Sequence, residues 1–347
     1  MTHLWVRAEQ RPNEARVGIT PEGARALTRA GIRVTVEESS TRAPGLTGHA
    51  EAGAEVAPEN SWPEAPADAI IFGLKELPDD GTPLRHRHIM FGHAYKGQHS
   101  GRRLLDRFRA GGGVLYDLEY LVDGQGRRVA AFGYWAGFAG AAVALKAWIA
   151  QQGGSVCPPV DAYPGKDALL DDLAGGMAGR PAPRILVIGA LGRVGTGAAD
   201  LCDAMGQPVT RWDMAETTSG GPFPEILAHD ILLNCIFARP GTPVFVPRAA
   251  LTEPRNLSVI GDIACDPDSD YNPVPVYDRA TTWGAPVCRV HETPPMDVVA
   301  IDNLPSLLPV ESSHDFAMQL LPSLLALGDL DVGVWGRARA AFDQHVG

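Results

Sequence analysis

The chain has 347 residues, a length typical of two domains that each bury their own core. Its 30 lysines and arginines against 41 aspartates and glutamates give a formal net charge of −11, which disfavours nucleic acids and anionic membrane surfaces as partners. The five cysteines lie far apart without a C-x-x-C pair, so they fit neither a disulfide framework nor a zinc site and indicate a reducing cytoplasm.

Segments typical of strands and helices alternate along the first third of the chain. Residues 1–7 lack the basic-then-apolar order of a signal peptide and predict a strand at residues 4–6. Thr20 followed by Pro21 is typical of a helix start, and Gly31 is placed to end that helix before a strand at residues 32–36. The alternation predicts an α/β domain.

Polar side chains directly follow three short apolar runs of the length expected for buried parallel strands. The runs are residues 69–73, 88–91 and 114–116, and the side chains that follow them are Lys75, His93 and Glu119. Because ligands bind outside the carboxyl ends of strands in open α/β sheets, these side chains predict one shared site. The alternative is that they are ordinary polar residues of surface loops.

The longest uncharged run, residues 129–145, only reaches the lower length limit for a membrane span and is rich in glycine and alanine. We therefore expect a buried helix over residues 132–152, a connector between the two domains, and no membrane span. At the C-terminus, apolar residues at helical spacing, Trp335 and Phe342 among them, predict a helix that returns to pack on the first domain.

A glycine-rich turn at residues 189–195 carries the clearest cofactor signal. It lies between a predicted buried strand, residues 184–188, and a predicted helix, residues 194–205. Glycine suits this turn because the chain bends sharply and its backbone N–H groups must approach a pyrophosphate. The next strand ends in Asp213, which is placed to accept hydrogen bonds from ribose hydroxyls. The alternative is a purely structural turn.

NAD is the predicted cofactor, since the Asp213 carboxylate would repel the 2′-phosphate of NADP, although the neighbouring Arg211 favours the opposite choice. Residues 230–236 and 257–262 predict later strands of the same sheet, whose ends would face the nicotinamide half. The predicted cofactor-binding residues lie in the turn or at these strand ends: Gly189, Leu191, Gly192, Arg193, Val194, Gly195, Asp213 and Cys235.

Two further groups of residues have structural interpretations and are not predicted sites. The histidines at positions 86, 88, 93 and 99 match no zinc template, so no metal site is expected. Cys157 and Cys265 lack a local basic partner and are interpreted as buried thiols rather than nucleophiles.

Several motifs coincide along the whole chain and make the sequence recognisable. Together they resemble the NAD-dependent, lysine-forming saccharopine dehydrogenases of the α-aminoadipate pathway, relatives of alanine dehydrogenase and transhydrogenase. The motifs are Arg7-Ala8-Glu9, Glu14-Ala15-Arg16, Gly73-Leu74-Lys75-Glu76, Gly92-His93-Ala94-Tyr95-Lys96, Tyr116-Asp117-Leu118-Glu119, residues 126–133, 188–193 and 219–223, and Ile301-Asp302-Asn303-Leu304-Pro305 with residues 306–309.

The resemblance implies an α/β fold of two Rossmann-like, doubly wound domains with mostly parallel sheets and an active-site cleft between them. We place a substrate domain at residues 1–135 plus 321–347 and an NAD-binding domain at residues 136–320. The implied reaction is reversible oxidative cleavage of saccharopine to L-lysine and 2-oxoglutarate. The expected partners are these small molecules, with no nucleic acid or membrane, and the expected state is a cytoplasmic monomer.

By the same resemblance Lys75 and His93 are the acid/base pair. Chemistry agrees, because a base must take the proton of the secondary amine before hydride can leave, and a histidine can serve the later hydrolysis. Saccharopine carries three carboxylates, for which Arg16, Arg128 and Lys96 are suitable cationic anchors. The acidic residues would bind the amines or adjust the proton affinity of Lys75. The implied substrate-binding residues are Arg16, Glu76, Lys96, Glu119, Arg128, Phe132 and Asp302, the last also contacting the cofactor.

Two departures from the family pattern stand out, Asn303 in place of a histidine and Val194 in place of a cysteine. An alternative within enzymes is a related amino-acid or opine dehydrogenase that acts on another amine and 2-oxo acid. Lys96, Glu119 and Arg128 argue against it, since a substrate as small as alanine needs fewer anchors. A non-catalytic nucleotide sensor is the alternative from a different class, and it would not need Lys75 and His93.

Overall fold

The computed structural model describes residues 1–95 and 99–346, except for the side chain of His99. The chain forms two compact units: unit 1 comprises Met1–Ala131 with Pro309–Gly347, and unit 2 comprises Phe132–Leu308. The sequence prediction has the chain return to the first domain at residue 321, whereas unit 1 resumes at Pro309. The helix after Pro309 contacts unit 1 directly, since its Val310 packs against Val17 and Leu46 and its Ser313 Oγ accepts the Val17 N–H at 2.9 Å.

Unit 1 is built on a parallel sheet with strand order β3-β2-β1-β4-β5-β6. This is the doubly wound order, in which the chain leaves β1 in one direction and later returns to its other side at β4. The strands are β1 His3–Val6, β2 Arg33–Glu37, β3 Glu55–Ala57, β4 Ile70–Phe72, β5 Arg87–Met90 and β6 Val114–Asp117, and the helices are α1 Pro21–Arg29, α2 His99–Gly111, α8 Pro309–Leu324 and α9 Gly333–Val346.

Local sequence signals form several elements of unit 1 as predicted, whereas β3 and α8 have no counterpart in the sequence prediction. Thr20 Oγ1 accepts the Gly23 N–H at the start of α1, and Gly31 takes φ +83° just after that helix. The C-terminal helix α9 packs on unit 1 as expected. Its Phe342 ring lies 5.6 Å from that of Phe108 on α2, so the helix covers one face of the sheet.

His88 on β5 is a core histidine of unit 1 and not a metal ligand of the kind weighed above. Its side chain is buried and edge-on to the rings of Trp62 and Phe108, at centroid distances of 5.2 and 5.5 Å. Neither ring nitrogen has a hydrogen-bond partner. Burial lowers the pKa of His88 well below 6.5, with nearby cationic side chains acting in the same direction, so the folded state holds it neutral.

This burial predicts a loss of stability in mild acid. Below pH 6.5 the unfolded chain protonates His88 and the folded chain does not, so the free energy of unfolding should fall by about 1.4 kcal/mol per pH unit from this residue. His88→Leu should remove this contribution. The free energy of unfolding measured with urea should then decline less steeply between pH 7.5 and 5.5. His314→Ala, which removes an exposed histidine, is the control; equal slopes for wild type and His88→Leu would contradict the prediction.

Unit 2 is built on a second sheet with strand order β11-β12-β10-β9-β7-β8, parallel except for the edge strand β11. Strands β11 and β12 have no counterpart in the sequence prediction. The strands are β7 Ile185–Ile188, β8 Val209–Trp212, β9 Ile231–Asn234, β10 Val259–Asp262, β11 Cys288–Glu292 and β12 Pro295–Val299, and the helices are α3 Gly133–Gln152, α4 Lys166–Met177, α5 Arg193–Ala204, α6 Met214–Thr217 and α7 Pro224–Ala228.

Helix α3 is the central helix of unit 2. The sequence predicts it as a connector between domains, but it belongs wholly to unit 2 and most of its residues are buried. It packs on α5 through glycines, because a Cβ at Gly137 would lie 1.8 Å from the Val194 carbonyl oxygen and a Cβ at Gly197 would lie 1.9 Å from that of Tyr134. None of the helices in the described part of the chain combines the length and apolarity that a membrane crossing requires.

Candidate active site

Acid/base side chains meet at the carboxyl edge of the unit 1 sheet. Lys75 follows β4, His93 follows β5 and Glu119 follows β6, and these strands are parallel neighbours, so their ends share one edge. The charge of Lys75 is close enough to act on the pKa of His93. The fold thus brings together the three residues that follow the predicted strands.

His93 and Glu119 form a pair at this edge of the sheet. Nδ1 of His93 lies 3.7 Å from Oε2 of Glu119, and the interaction with Glu119 raises the pKa of His93 above its usual value. His93 takes φ +48°, in the left-handed region, which aims its side chain from a tight turn. The imidazole is about half exposed and therefore open to substrate and water.

Asp117 supports the same turn; it belongs to a motif of the sequence analysis but was not predicted as a site residue. Its Oδ1 accepts the Glu119 N–H at 2.9 Å. A Cβ at Gly92 would lie 3.2 Å from Oδ2, so the chain before His93 passes close to this carboxyl. Burial raises the pKa of Asp117 to about 6. Its signal in the sequence is its place as the last residue of an apolar strand, two positions before Glu119.

Arg16 lies near this edge but is held by a buried partner that the sequence did not reveal. Its guanidinium donates to both carboxylate oxygens of Glu14, at 2.7 and 2.6 Å, and both residues are buried. Burial alone would raise the pKa of Glu14, but Arg16 and Lys75 hold it below its usual value. Arg16 is therefore a rigid cation, fixed in position before any substrate carboxylate arrives.

The other predicted substrate-binding residues belong to separate segments of the two units. Glu76 is half-exposed and lies 3.8 Å from Arg11 Nη1, while Arg128 is exposed in a turn that pairs with Val122. In unit 2, Phe132 is the N-cap of α3, and Asp302 is exposed directly after Ile301. Lys96 lies outside the described residues.

The glycine turn of unit 2 has the shape of a dinucleotide cradle. Gly189 follows β7 with φ +84°, and a Cβ there would lie 2.7 Å from the Ile236 side chain. A Cβ at Gly195 would lie 2.1 Å from the Gly189 carbonyl oxygen. Gly192 is the N-cap of α5, so the helix presents its free N–H groups, as a pyrophosphate requires. The predicted residues Leu191, Arg193 and Val194 lie in this turn and first helical turn, the first two exposed.

Cys235 lies where the order of strands changes direction. β7 is flanked by β8 on one side and by β9 on the other, and the gap between β7 and β9 is the switch point at which doubly wound sheets bind ligands. Cys235 follows β9, donates its N–H to the Ile188 carbonyl at 2.9 Å, and adjoins Gly189. The preceding residue, buried Asn234, donates from its side-chain amide to Asp262 at 2.9 Å, which links the ends of β9 and β10.

Asp213 lies at the end of β8, the position predicted for the ribose ligand. Its Oδ2 accepts the Leu191 N–H at 3.0 Å and its Oδ1 accepts the Met214 N–H at 2.9 Å, so it ties the glycine turn to the start of α6. The competing cation Arg211 is paired with Asp203 on α5 at 2.6 Å. The residues present fit NAD, with a carboxylate at the ribose position and the nearby guanidinium already engaged.

Asp213→Ser should raise the ratio of NADP to NAD efficiency (kcat/KM) about tenfold or more, equivalent to about 1.4 kcal/mol. Serine keeps the N-cap of α6, so the change removes the negative charge without unwinding the helix. Initial rates with both cofactors measure the ratio. Asp171→Asn, on exposed α4 surface, is the control, and an unchanged ratio in Asp213→Ser would count against the assignment.

The residues that the structure describes contain no group of three or more histidine, cysteine, aspartate or glutamate side chains that could hold a metal ion. All five cysteines are free thiols. Burial raises the pKa of Cys157 to about 11 and that of Cys265 to about 12, which fits their interpretation as unreactive thiols.

Solved structures share this fold over nearly the whole chain. An L-alanine dehydrogenase superposes with a TM-score of 0.70 at 17% identity, covering 99% of this chain and 94% of that one. The transhydrogenase from Sinorhizobium meliloti gives 0.62 at 18% identity, covering 95% of both chains. These likenesses show the predicted α/β fold of two mostly parallel, Rossmann-like sheets.

Sequence comparison identifies the family. A family model described as alanine dehydrogenase/PNT, N-terminal domain, matches residues 5–139. The chain is 48% identical to a saccharopine dehydrogenase (NAD(+), L-lysine-forming) of Yarrowia lipolytica, covering 99% of this chain and 97% of that protein. For the enzyme of the same name from Schizosaccharomyces pombe the identity is 45%, covering 99% and 98%. The chain therefore belongs to the family of NAD(+)-dependent, L-lysine-forming saccharopine dehydrogenases.

Proposed function

We propose that this protein catalyses the reversible, NAD-dependent oxidative cleavage of saccharopine to L-lysine and 2-oxoglutarate. The observation that carries the proposal is the His93–Glu119 pair beside Lys75, on the carboxyl edge of one sheet. Unit 1 would bind the substrate, and unit 2, with its glycine turn and Asp213, would bind the cofactor. Bound NAD accepts the hydride that leaves the substrate carbon.

Lys75 is the proposed base for the first step. The secondary amine of saccharopine must lose its proton before its carbon can release hydride, and a neutral lysine amine can take that proton. Lys75 comes three residues after the end of β4, and its backbone N–H donates to the buried Glu9 carboxylate at 3.0 Å. This fixes the base at the strand end where the substrate amine is expected.

His93 is the proposed acid/base for hydrolysis of the resulting imine. It first takes a proton from water as the water oxygen attacks the imine carbon, and then protonates the departing lysine nitrogen. Both transfers require a group that gains and loses a proton near neutrality. Because the partner Glu119 raises the pKa of His93, the protonated form persists to higher pH, which favours the second transfer.

The substrate carboxylates need cationic anchors, and we assign them to Arg16, Arg128 and Lys96, with Glu76, Phe132 and Asp302 completing the substrate contacts. Arg16 is buried and its guanidinium is held by Glu14, so it offers a fixed cation. Arg128 is exposed and can adjust to the substrate. The fork of Arg128 can match a carboxylate in bidentate geometry, whereas two donors of Arg16 are already bound to Glu14.

Oxidation of NADH with pairs of amine and 2-oxo acid tests the proposal. With 2-oxoglutarate and L-lysine the rate should exceed that with pyruvate and ammonia by orders of magnitude. The comparison also tests the alternative, a dehydrogenase for a smaller amino acid. Turnover with pyruvate and ammonia alone would overturn the assignment of saccharopine as substrate.

We further propose a cytoplasmic monomer whose only partners are these small molecules and the cofactor. The formal charge of −11 supports the exclusion of nucleic acid, and the five free thiols support a reducing compartment.

A further inference from the structure

A buried arginine–glutamate pair holds the main chain of Lys75. Arg7 and Glu9 follow β1 and are 2% and 8% exposed. Glu9 Oε1 accepts the Leu74 N–H at 2.6 Å, and Glu9 Oε2 accepts the Lys75 N–H at 3.0 Å. Nη2 of Arg7 donates to the Lys75 carbonyl oxygen. Both polar groups of the Lys75 backbone are therefore bound by one ion pair, whose members lie 3.5 Å apart.

The pair lies at the point in the unit 1 sheet where the order of the strands changes direction. β1 and β4 are adjacent although α1, β2 and β3 separate them in sequence, so the segments after them meet at the switch point of the sheet. The strand ladder ends with the Arg7 N–H donating to the Phe72 carbonyl at 2.9 Å. Beyond that point the Arg7 and Glu9 side chains continue the connection between the two segments.

Two further contacts rigidify this junction. Glu37, fully buried at the end of β2, accepts the Ala8 N–H at 2.8 Å and so anchors the residue between Arg7 and Glu9. On the other side, a Cβ at Gly73 would lie 2.4 Å from Nε and Cζ of Arg7. Only glycine lets the guanidinium lie this close under the chain that leads to Lys75.

We propose that Arg7 and Glu9 are positioning residues for catalysis, which fix the backbone of Lys75 so that its amine meets the substrate nitrogen. The inference rests on the proposed role of Lys75. A misplacement of about 1 Å in a catalytic group can cost about 10²-fold in rate, so the clamp has a measurable kinetic effect. Neither side chain touches the reacting atoms.

Glu9→Gln is the first test. A glutamine can offer an acceptor to only one of the two amides, so kcat should fall by about 10- to 100-fold, while KM for NADH, bound by unit 2, stays within about twofold. Gly73→Ala, which displaces Arg7, should act in the same direction. The matched controls are Glu55→Gln, in the exposed Arg33–Glu55 pair of the same unit, and Gly124→Ala, where a Cβ meets nothing within 4 Å.

A double variant separates positioning from stability. Glu9→Gln leaves Arg7 as a buried unpaired charge and should lower the melting temperature. Arg7→Met with Glu9→Leu removes both charges and should regain part of the loss, the rest being the cost of the Leu74 and Lys75 backbone groups that lose their partners. Under our proposal kcat stays low in the double variant, because the Lys75 backbone has lost its anchors. Recovery of kcat together with the melting temperature would show a purely structural role and overturn the proposal.

A mutant cycle with Lys75 distinguishes failure of this inference from failure of the proposed function. If the clamp acts through Lys75, Glu9→Gln should have no further effect on the residual rate of Lys75→Met. An equal loss in both backgrounds would overturn the clamp and leave the role of Lys75 intact. Full turnover by Lys75→Met itself would instead overturn the proposed role of Lys75, and turnover with pyruvate and ammonia alone would overturn the proposed function.

Discussion

Lys75→Met combined with His93→Gln should lower kcat by about 10⁴-fold or more, since a single acid/base group contributes about 10²–10⁴. The two residues serve different steps in our mechanism, proton removal from the amine and hydrolysis of the imine. Each single variant should therefore be slow, and the double variant no faster than the slower of them. Stopped-flow measurement of NADH oxidation with 2-oxoglutarate and lysine gives the rates.

NADH binding should survive these substitutions, because the glycine turn and Asp213 belong to unit 2 whereas Lys75 and His93 belong to unit 1. Fluorescence titration of bound NADH measures this separately from turnover. Lys166→Met with His314→Gln replaces the same residue types outside the proposed site and serves as the control. Near-normal turnover in the Lys75 and His93 double variant would refute the roles assigned to them.

Gly197→Val should destabilise the protein by about 3 kcal/mol or more, because the added carbons would overlap the backbone of α3. A Cβ alone would lie 1.9 Å from the Tyr134 carbonyl oxygen, and a backbone oxygen cannot move aside as a flexible side chain can. The melting temperature should fall by roughly 6–12 °C. NADH binding should weaken as well, since α5 begins at the glycine turn.

Gly175→Ala on α4 is the matched control for this prediction. It lies inside a helix of the same unit, and a Cβ there meets nothing within 4 Å. Alanine should leave stability unchanged or raise it by up to about 1 kcal/mol, because it favours helix more than glycine does. Calorimetry of both variants checks the contrast. A Gly197→Val protein as stable as wild type would mean that α3 and α5 do not pack backbone to backbone.

The sequence by itself determined the elements whose signals are local. The N-cap at Thr20, the glycine turn after β7 and the acidic end of β8 all appear where the pattern predicts them, because each depends on a few consecutive residues. Lys75, His93 and Glu119 likewise follow strands at the places where the pattern predicts them. A polar residue directly after a buried strand lies at the carboxyl edge whatever the order of the strands.

Only the tertiary structure decided which of these residues are partners. The pairing of His93 with Glu119 and the hold of Arg7 and Glu9 on Lys75 join residues 26 or more positions apart. Such contacts depend on which strands are neighbours, and the order of a sheet is not encoded in any one segment. Helix α3 is a further example. Its composition suggested a connector between domains, but the elements that pack around it, and therefore its place at the buried centre of unit 2, depend on the tertiary structure.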